Sequence, residues 1–97
     1  MKHEPFDPED PKDIVADNFR KEVMLAFLNA GKVTLFRELS EQDKLEAFMA
    51  GALTGCLVVA LTHFKPENWE KVHEAAVATI KEARHQAEGI VRQELKS

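Results

Sequence analysis

Residues 47–61 read AFMAGALTGCLVVAL, a stretch without a charge set between two segments in which a charge falls every third or fourth position. Such a run has to be hidden from water. Ahead of it, Ser40 followed by Asp43 forms an N-cap with an acidic third residue, a variant of the capping box, and opens a helix from Glu41 to about Thr62. Leu45, Phe48, Met49, Leu53, Leu57, Val58 and Leu61 lie on its other faces, opposite Ala47, Gly51 and Gly55. A helix that is apolar all round needs neighbours all round. Each glycine in a helix interior costs roughly 1 kcal/mol relative to alanine, so two of them one turn apart point to something pressing close. The plain reading is a buried central helix with a near neighbour; an exposed groove for a partner is the other. In a lipid bilayer the same face would be a dimer seam. Spanning needs roughly 20 apolar residues, however, and this run stops between Glu46 and His63, so no membrane is expected.

Working outward, His63-Phe64-Lys65-Pro66 is a connection short enough to make the second and third helices antiparallel neighbours, an αα-hairpin. Pro66 and Glu67 start the third helix, which runs to about Leu95 with the stripe Trp69, Val72, Ala76, Ile80, Ala83, Ala87 and Ile90 or Val91. Alanines in that stripe permit close helix approach. Glu67/Lys71 and Glu88/Arg92 have the favourable acid-first order. On the other side, Asp10 as N-cap, Pro11 at the first helical position and Asp13 near the positive end of the dipole begin the first helix. Its apolar positions Val15, Phe19, Val23, Phe27 and Ala30, flanked by Ile14, Met24 and Ala26, recur at helical spacing, and Gly31 is suited to the left-handed residue that ends a helix. Residues 32–39, KVTLFREL, fit either a strand or a helical turn; without a second strand-like run, a short helix or irregular linker is favoured. Residues 1–10, with Pro5 and Pro8 among four acids, read as an extended, flexible acidic arm.

A chain of 97 residues, 44% hydrophobic and 31% charged, supports one domain, here 11–97. So small a domain buries only about 60–70% of its unfolded surface, and a wholly apolar helix is hard to cover within one copy. The fold expected is therefore all-α: three helices, the second and third forming a hairpin that completes a four-helix bundle by dimerisation. The seam would draw on Gly51, Gly55, Ala76, Ala83 and Ala87.

The formal charge of −4, with basic residues scattered singly, argues against a nucleic-acid binder, which needs a basic stripe. One cysteine, Cys56, excludes an internal disulfide framework, and the acidic, proline-rich beginning is unlike a signal peptide; a cytoplasmic setting is expected. Cys56 reads as a small buried hydrophobe. Glu70-x-x-His73 and Glu82-x-x-His85 have the Glu/His spacing of di-iron bundles. The two motifs point about 120° apart round one helix, and the neighbouring helices supply no inward glutamates, so no metal is expected. Ser40 lacks a nucleophile elbow, Lys32 lacks the upstream glycine of a phosphate loop, and no cofactor or catalytic residue is assigned. Trp69 is expected to anchor the hairpin connection against Phe64 as a core residue, whereas Phe6 has no evident partner.

These features point to a non-enzymatic, self-associating helical module, a small regulator, adaptor or inhibitor that favours basic partner surfaces. The alternative is a small-molecule-binding oligomer with a pocket between subunits near His63, Lys65, Trp69 and His73.

Overall fold

The computed structural model describes residues 6–96 and is all-helical, with no strand among them. Four helices follow in order: α1 (Pro11–Ala30), α2 (Thr34–Arg37), α3 (Glu41–Leu61) and α4 (Trp69–Lys96), the last preceded by a 3₁₀ turn at Pro66–Asn68. The caps are those expected. Asp10 accepts a hydrogen bond from the Lys12 amide at 3.0 Å with Pro11 at the first helical position, and Ser40 Oγ accepts one from the Asp43 amide at 3.1 Å.

Several local expectations are corrected. Gly31 is not left-handed: its φ of −61° is right-handed helical, and the amides of Lys32 and Val33 bond back to Asn29 and Ala30, so the right-handed turn continues past Gly31 until the extended Val33 (φ −96°, ψ 124°) caps α2. A Cβ there would lie 3.2 Å from the Leu28 carbonyl oxygen, and no special backbone shape requires glycine. Gly31→Ala is thus expected to change the unfolding free energy by under about 1 kcal/mol in chemical denaturation, where a left-handed glycine would make it clearly destabilising. Residues 32–39 do contain a short helix, α2, the alternative favoured for them over a strand. The third helix begins at Trp69, because Pro66–Asn68 winds as 3₁₀. Residues 1–5 of the acidic arm lie outside the described residues. Residues 7–10 are turned rather than extended: the Asp7 carbonyl accepts from the Asp10 amide, and the Asp7 amide donates to Asp13 Oδ2 at 2.9 Å.

The three long helices meet at three corners and leave their middles open. At the first corner Phe27 of α1 stands edge-on to Phe36 of α2 (5.5 Å between ring centres) and to Phe48 of α3 (5.0 Å), with the Lys44 ammonium 5.9 Å above the Phe36 ring. At the second, α3 and α4 meet around Ala60, Phe64, Val72 and Ala76. At the third, Phe6 and Ile14 share an open cleft with Ile90 of α4. The result is a flat frame, 41 × 41 × 19 Å, with a radius of gyration of 15.7 Å against about 12.5 Å for a compact domain of this length.

The open frame overturns the reading of α3 as a buried central helix, for among the described residues none is buried. Cys56 is exposed, not a core residue. Trp69, expected in the core, is 44% exposed. The α1 stripe is displaced in part. In its first half Ala16 and Arg20 are half-buried whereas Val15, Phe19 and Val23 are exposed, a rotation of about 100° for the first two, while the stripe residues Phe27 and Ala30 are half-buried where expected.

Candidate functional site

The residues named for a seam do not form one within the chain. Gly51 and Gly55 lie exposed on α3, and a Cβ built on either meets nothing within 4 Å. On α4, Ala76 is half-buried at the corner with α3, while Ala83 and Ala87 are exposed. Both helices therefore present exposed small residues, Gly51 and Gly55 on α3 and Ala83 and Ala87 on α4. Beside them stand exposed Leu45, Met49, Leu53, Val58 and Val59 on α3 and Ile80 and Val91 on α4.

The second group of named residues clusters in sequence but not as a binding site. Trp69 hangs at the α3–α4 corner, where its indole N–H donates to the carbonyl oxygens of Leu61 and Phe64, each at 3.2 Å. Those carbonyls belong to the end of α3 and its exit turn, which a helix leaves without intrahelical donors. His63 acts on the same end: its Nδ1 lies 2.8 Å from the Val59 carbonyl, so that nitrogen carries the proton and donates. Thr62 Oγ1 donates to the same oxygen at 2.7 Å. Lys65 occupies the cap position of the 3₁₀ turn, and His73 is exposed on α4. Three of the polar groups thus finish the α3 terminus instead of converging on a space.

An open apolar trough of about 440 Å³ does lie at this corner, but other residues line it: Ala60, Phe64, Asn68, Val72 and Ala76 among them, with Lys71 and Thr79 at its edge. The trough combines the stripe residues Val72 and Ala76 with Ala60 and Phe64 of the α3 end and its exit turn, a juxtaposition that no local spacing signals. The larger cleft, about 580 Å³, runs between Phe6, Asp13, Ile14 and Asp17 and the Ile90–Gln93 end of α4. Among the described residues no three of His, Cys, Asp and Glu come together as a metal site, and the Glu70/His73 and Glu82/His85 pairs remain separate along α4.

Charge pairing runs along single helices, between residues three or four apart. Asp17 receives a hydrogen bond from Arg20 at 2.6 Å, which holds its carboxyl below the usual carboxylate range, with Lys21 at 3.7 Å adding to the effect. Glu88 is likewise lowered, first by the hydrogen bond from Arg84 at 2.7 Å and further by Arg92 at 3.4 Å. The expected Glu88/Arg92 pair is therefore present within a three-residue cluster, while Glu67/Lys71 makes no ion pair among the described residues. Because folding lowers both carboxyl pKa values, their small contribution is present above the ordinary carboxylate value and is lost as pH falls through the folded one. Arg84→Ala is expected to return the Glu88 titration toward the ordinary value while leaving Asp17 in place, as carboxyl carbon shifts in an NMR titration would record.

By length and composition α3 is apolar enough to cross a bilayer. Its uncharged part, 47–61, extends only about 22 Å along a helix, short of a hydrocarbon core of about 30 Å. No protein-family model, curated protein or solved structure matches the chain.

Proposed function

We propose that this chain is a non-enzymatic helical interaction module that works as a subunit of a self-associated assembly, most simply a homodimer. The observation that carries the reading is the missing core. The chain exposes 8213 Å², whereas a compact monomer of 11.0 kDa exposes about 5,600 Å². A helix with the composition of α3 is unstable with all its sides wet, since helices draw most of their stability from packing. Pairing two α3/α4 units along Gly51, Gly55, Ala83 and Ala87 would complete a four-helix arrangement, with Ala76 at its edge.

The absence of convergent polar groups around the α3–α4 corner supports an interaction role over a catalytic one, because catalysis needs several such groups in one pocket. The acidic balance of the chain suits partners with basic surfaces and makes association salt-sensitive. A cytoplasmic regulator, adaptor or inhibitor fits these properties. The alternative of a small-molecule site at His63, Lys65, Trp69 and His73 draws less support, since His63 and Trp69 spend their donors on α3 carbonyls.

The test is the solution mass of the purified chain by light scattering at low and moderate salt, without detergent. A dimer or larger species supports the reading. A folded helical monomer, or a chain that stays in solution only with detergent, overturns the self-associating form of it.

A further inference from the structure

The stripe Val15, Phe19 and Val23 of α1 is apolar at helical spacing, yet these side chains are 53%, 68% and 42% exposed. Two independent observations collide here. Periodicity marks this face for burial, yet only the Phe27 and Ala30 end of the stripe is half-buried, and along the first half of α1 the packed chain turns inward a neighbouring face that carries Asp13, Ala16, Asp17 and Arg20. Val15, Phe19 and Val23 follow one another at four-residue spacing with Glu22 at their edge, whereas the inward side holds the Asp17–Arg20 ion pair. Selection of apolar residues at three- and four-residue spacing has no purpose on a solvated face.

The area decides what covers it. The surplus over a compact monomer is on the order of 2,500 Å² per chain. A seam along both α3 and α4 would remove strips only about 31 Å and about 42 Å long by about 10 Å wide, roughly 700 Å² per chain, which is about a third of that surplus or less. Obligate homodimers bury about 2,000–5,000 Å² in total over both copies, so a surplus of this size in each copy matches an extensive interface and not an edge-to-edge contact.

Resting on the reading above that the chain self-associates, we infer that a second copy of this chain covers the Val15/Phe19/Val23 face of α1 in addition to the α3 face. The two copies then interlock through the open frame, and folding is coupled to assembly. The occupant is a second copy and not a foreign helix or lipid, because the surplus is a property of the whole flat frame and is of the size that an identical frame can bury in return.

The test uses the full chain in two labelled forms. In a mixture of carbon-13-labelled and unlabelled copies refolded together, isotope-filtered NOEs should connect the Phe19 ring and the Val15 and Val23 methyls to protons of the other copy. The thermal midpoint should also rise with concentration between about 1 and 100 µM, as linked folding and assembly require. Phe19→Asp should weaken self-association by about 30-fold or more. A dimer whose Phe19, Val15 and Val23 show no cross-copy NOEs would overturn this inference and leave the α3/α4 seam standing. A folded monomer with a concentration-independent midpoint would overturn both. Binding of the chain to phosphatidylcholine vesicles in place of self-association would also overturn it, with lipid as the occupant. Because the NOE measurement is made on the unmodified sequence, the outcome does not depend on whether the Phe19 variant folds.

Discussion

Phe27→Ala is expected to lower the unfolding free energy by about 2–3 kcal/mol, one of the two largest effects foreseen for a single substitution. Full truncation of a buried phenylalanine costs about 3–5 kcal/mol, and Phe27 is half-buried, which brings the estimate down. Its edge-on contacts to Phe36 and Phe48 bring it part of the way back, since such aromatic pairs contribute about 0.5–1.5 kcal/mol each beyond area. More important is what the ring joins. Phe27 links α1 to α2 and α3 at a corner where little else packs, so its loss frees the C-terminal half of α1. A helix of 20 residues held at one end only is marginal in water. Urea denaturation should show the lower midpoint, and amide exchange in the last two turns of α1 should accelerate more than in α4. Phe27→Leu, which keeps most of the apolar volume, should recover about half of the loss.

Gly55→Leu should dissociate the assembly while leaving helix content nearly intact, and here the sign of the effect is the informative quantity. Within one chain nothing lies near Gly55, so a larger side chain would meet only open space. If the chain worked alone, replacing this helix-interior glycine would stabilise it by up to about 1 kcal/mol. If a second copy packs on that face, a leucine side chain holds the helices apart and the close approach is lost. Gly51→Ala provides the graded version of the same comparison. Sedimentation velocity and circular dichroism on the two variants would separate the cases: a monomer with preserved ellipticity for Gly55→Leu supports the seam, whereas an unchanged mass with a raised midpoint places the glycine on a free surface.

The elements of this fold were readable because their signals are local. Asp10, Pro11, Ser40 and Asp43 each act within one turn of their own position, and all four perform the capping roles their spacing implies. The 47–61 run and the Val15 to Ala30 periodicity likewise identify helices from neighbours three and four residues apart. Less legible is which faces the fold covers, although the short connection at 63–66 does bring α3 and α4 into contact as its length implies. Gly31 suits a left-handed helix end in sequence, but the break before α2 falls instead at the extended Val33 and needs no left-handed residue. Cys56 and Trp69 were assigned to a core because apolar surroundings in sequence resemble apolar surroundings in space. A hydrophobic pattern states that a face is to be covered and says nothing of which chain supplies the cover. The candidate site shows the same division. The place of His63 at the end of α3 is legible from sequence, whereas the donation of the Trp69 N–H to two carbonyls depends on the path of the turn between them.

The position of that indole at the α3–α4 corner makes the protein its own spectroscopic probe. Trp69 is the chain's one tryptophan and tyrosine is absent, so near-ultraviolet emission excited at the indole band arises from a single place. Its N–H is tied to two carbonyls and its ring is partly open to solvent, so the emission colour and anisotropy register both the angle held between α3 and α4 and any surface that comes to rest beside it. Docking events at the corner can therefore be followed in the natural sequence, with no dye attached and no residue replaced.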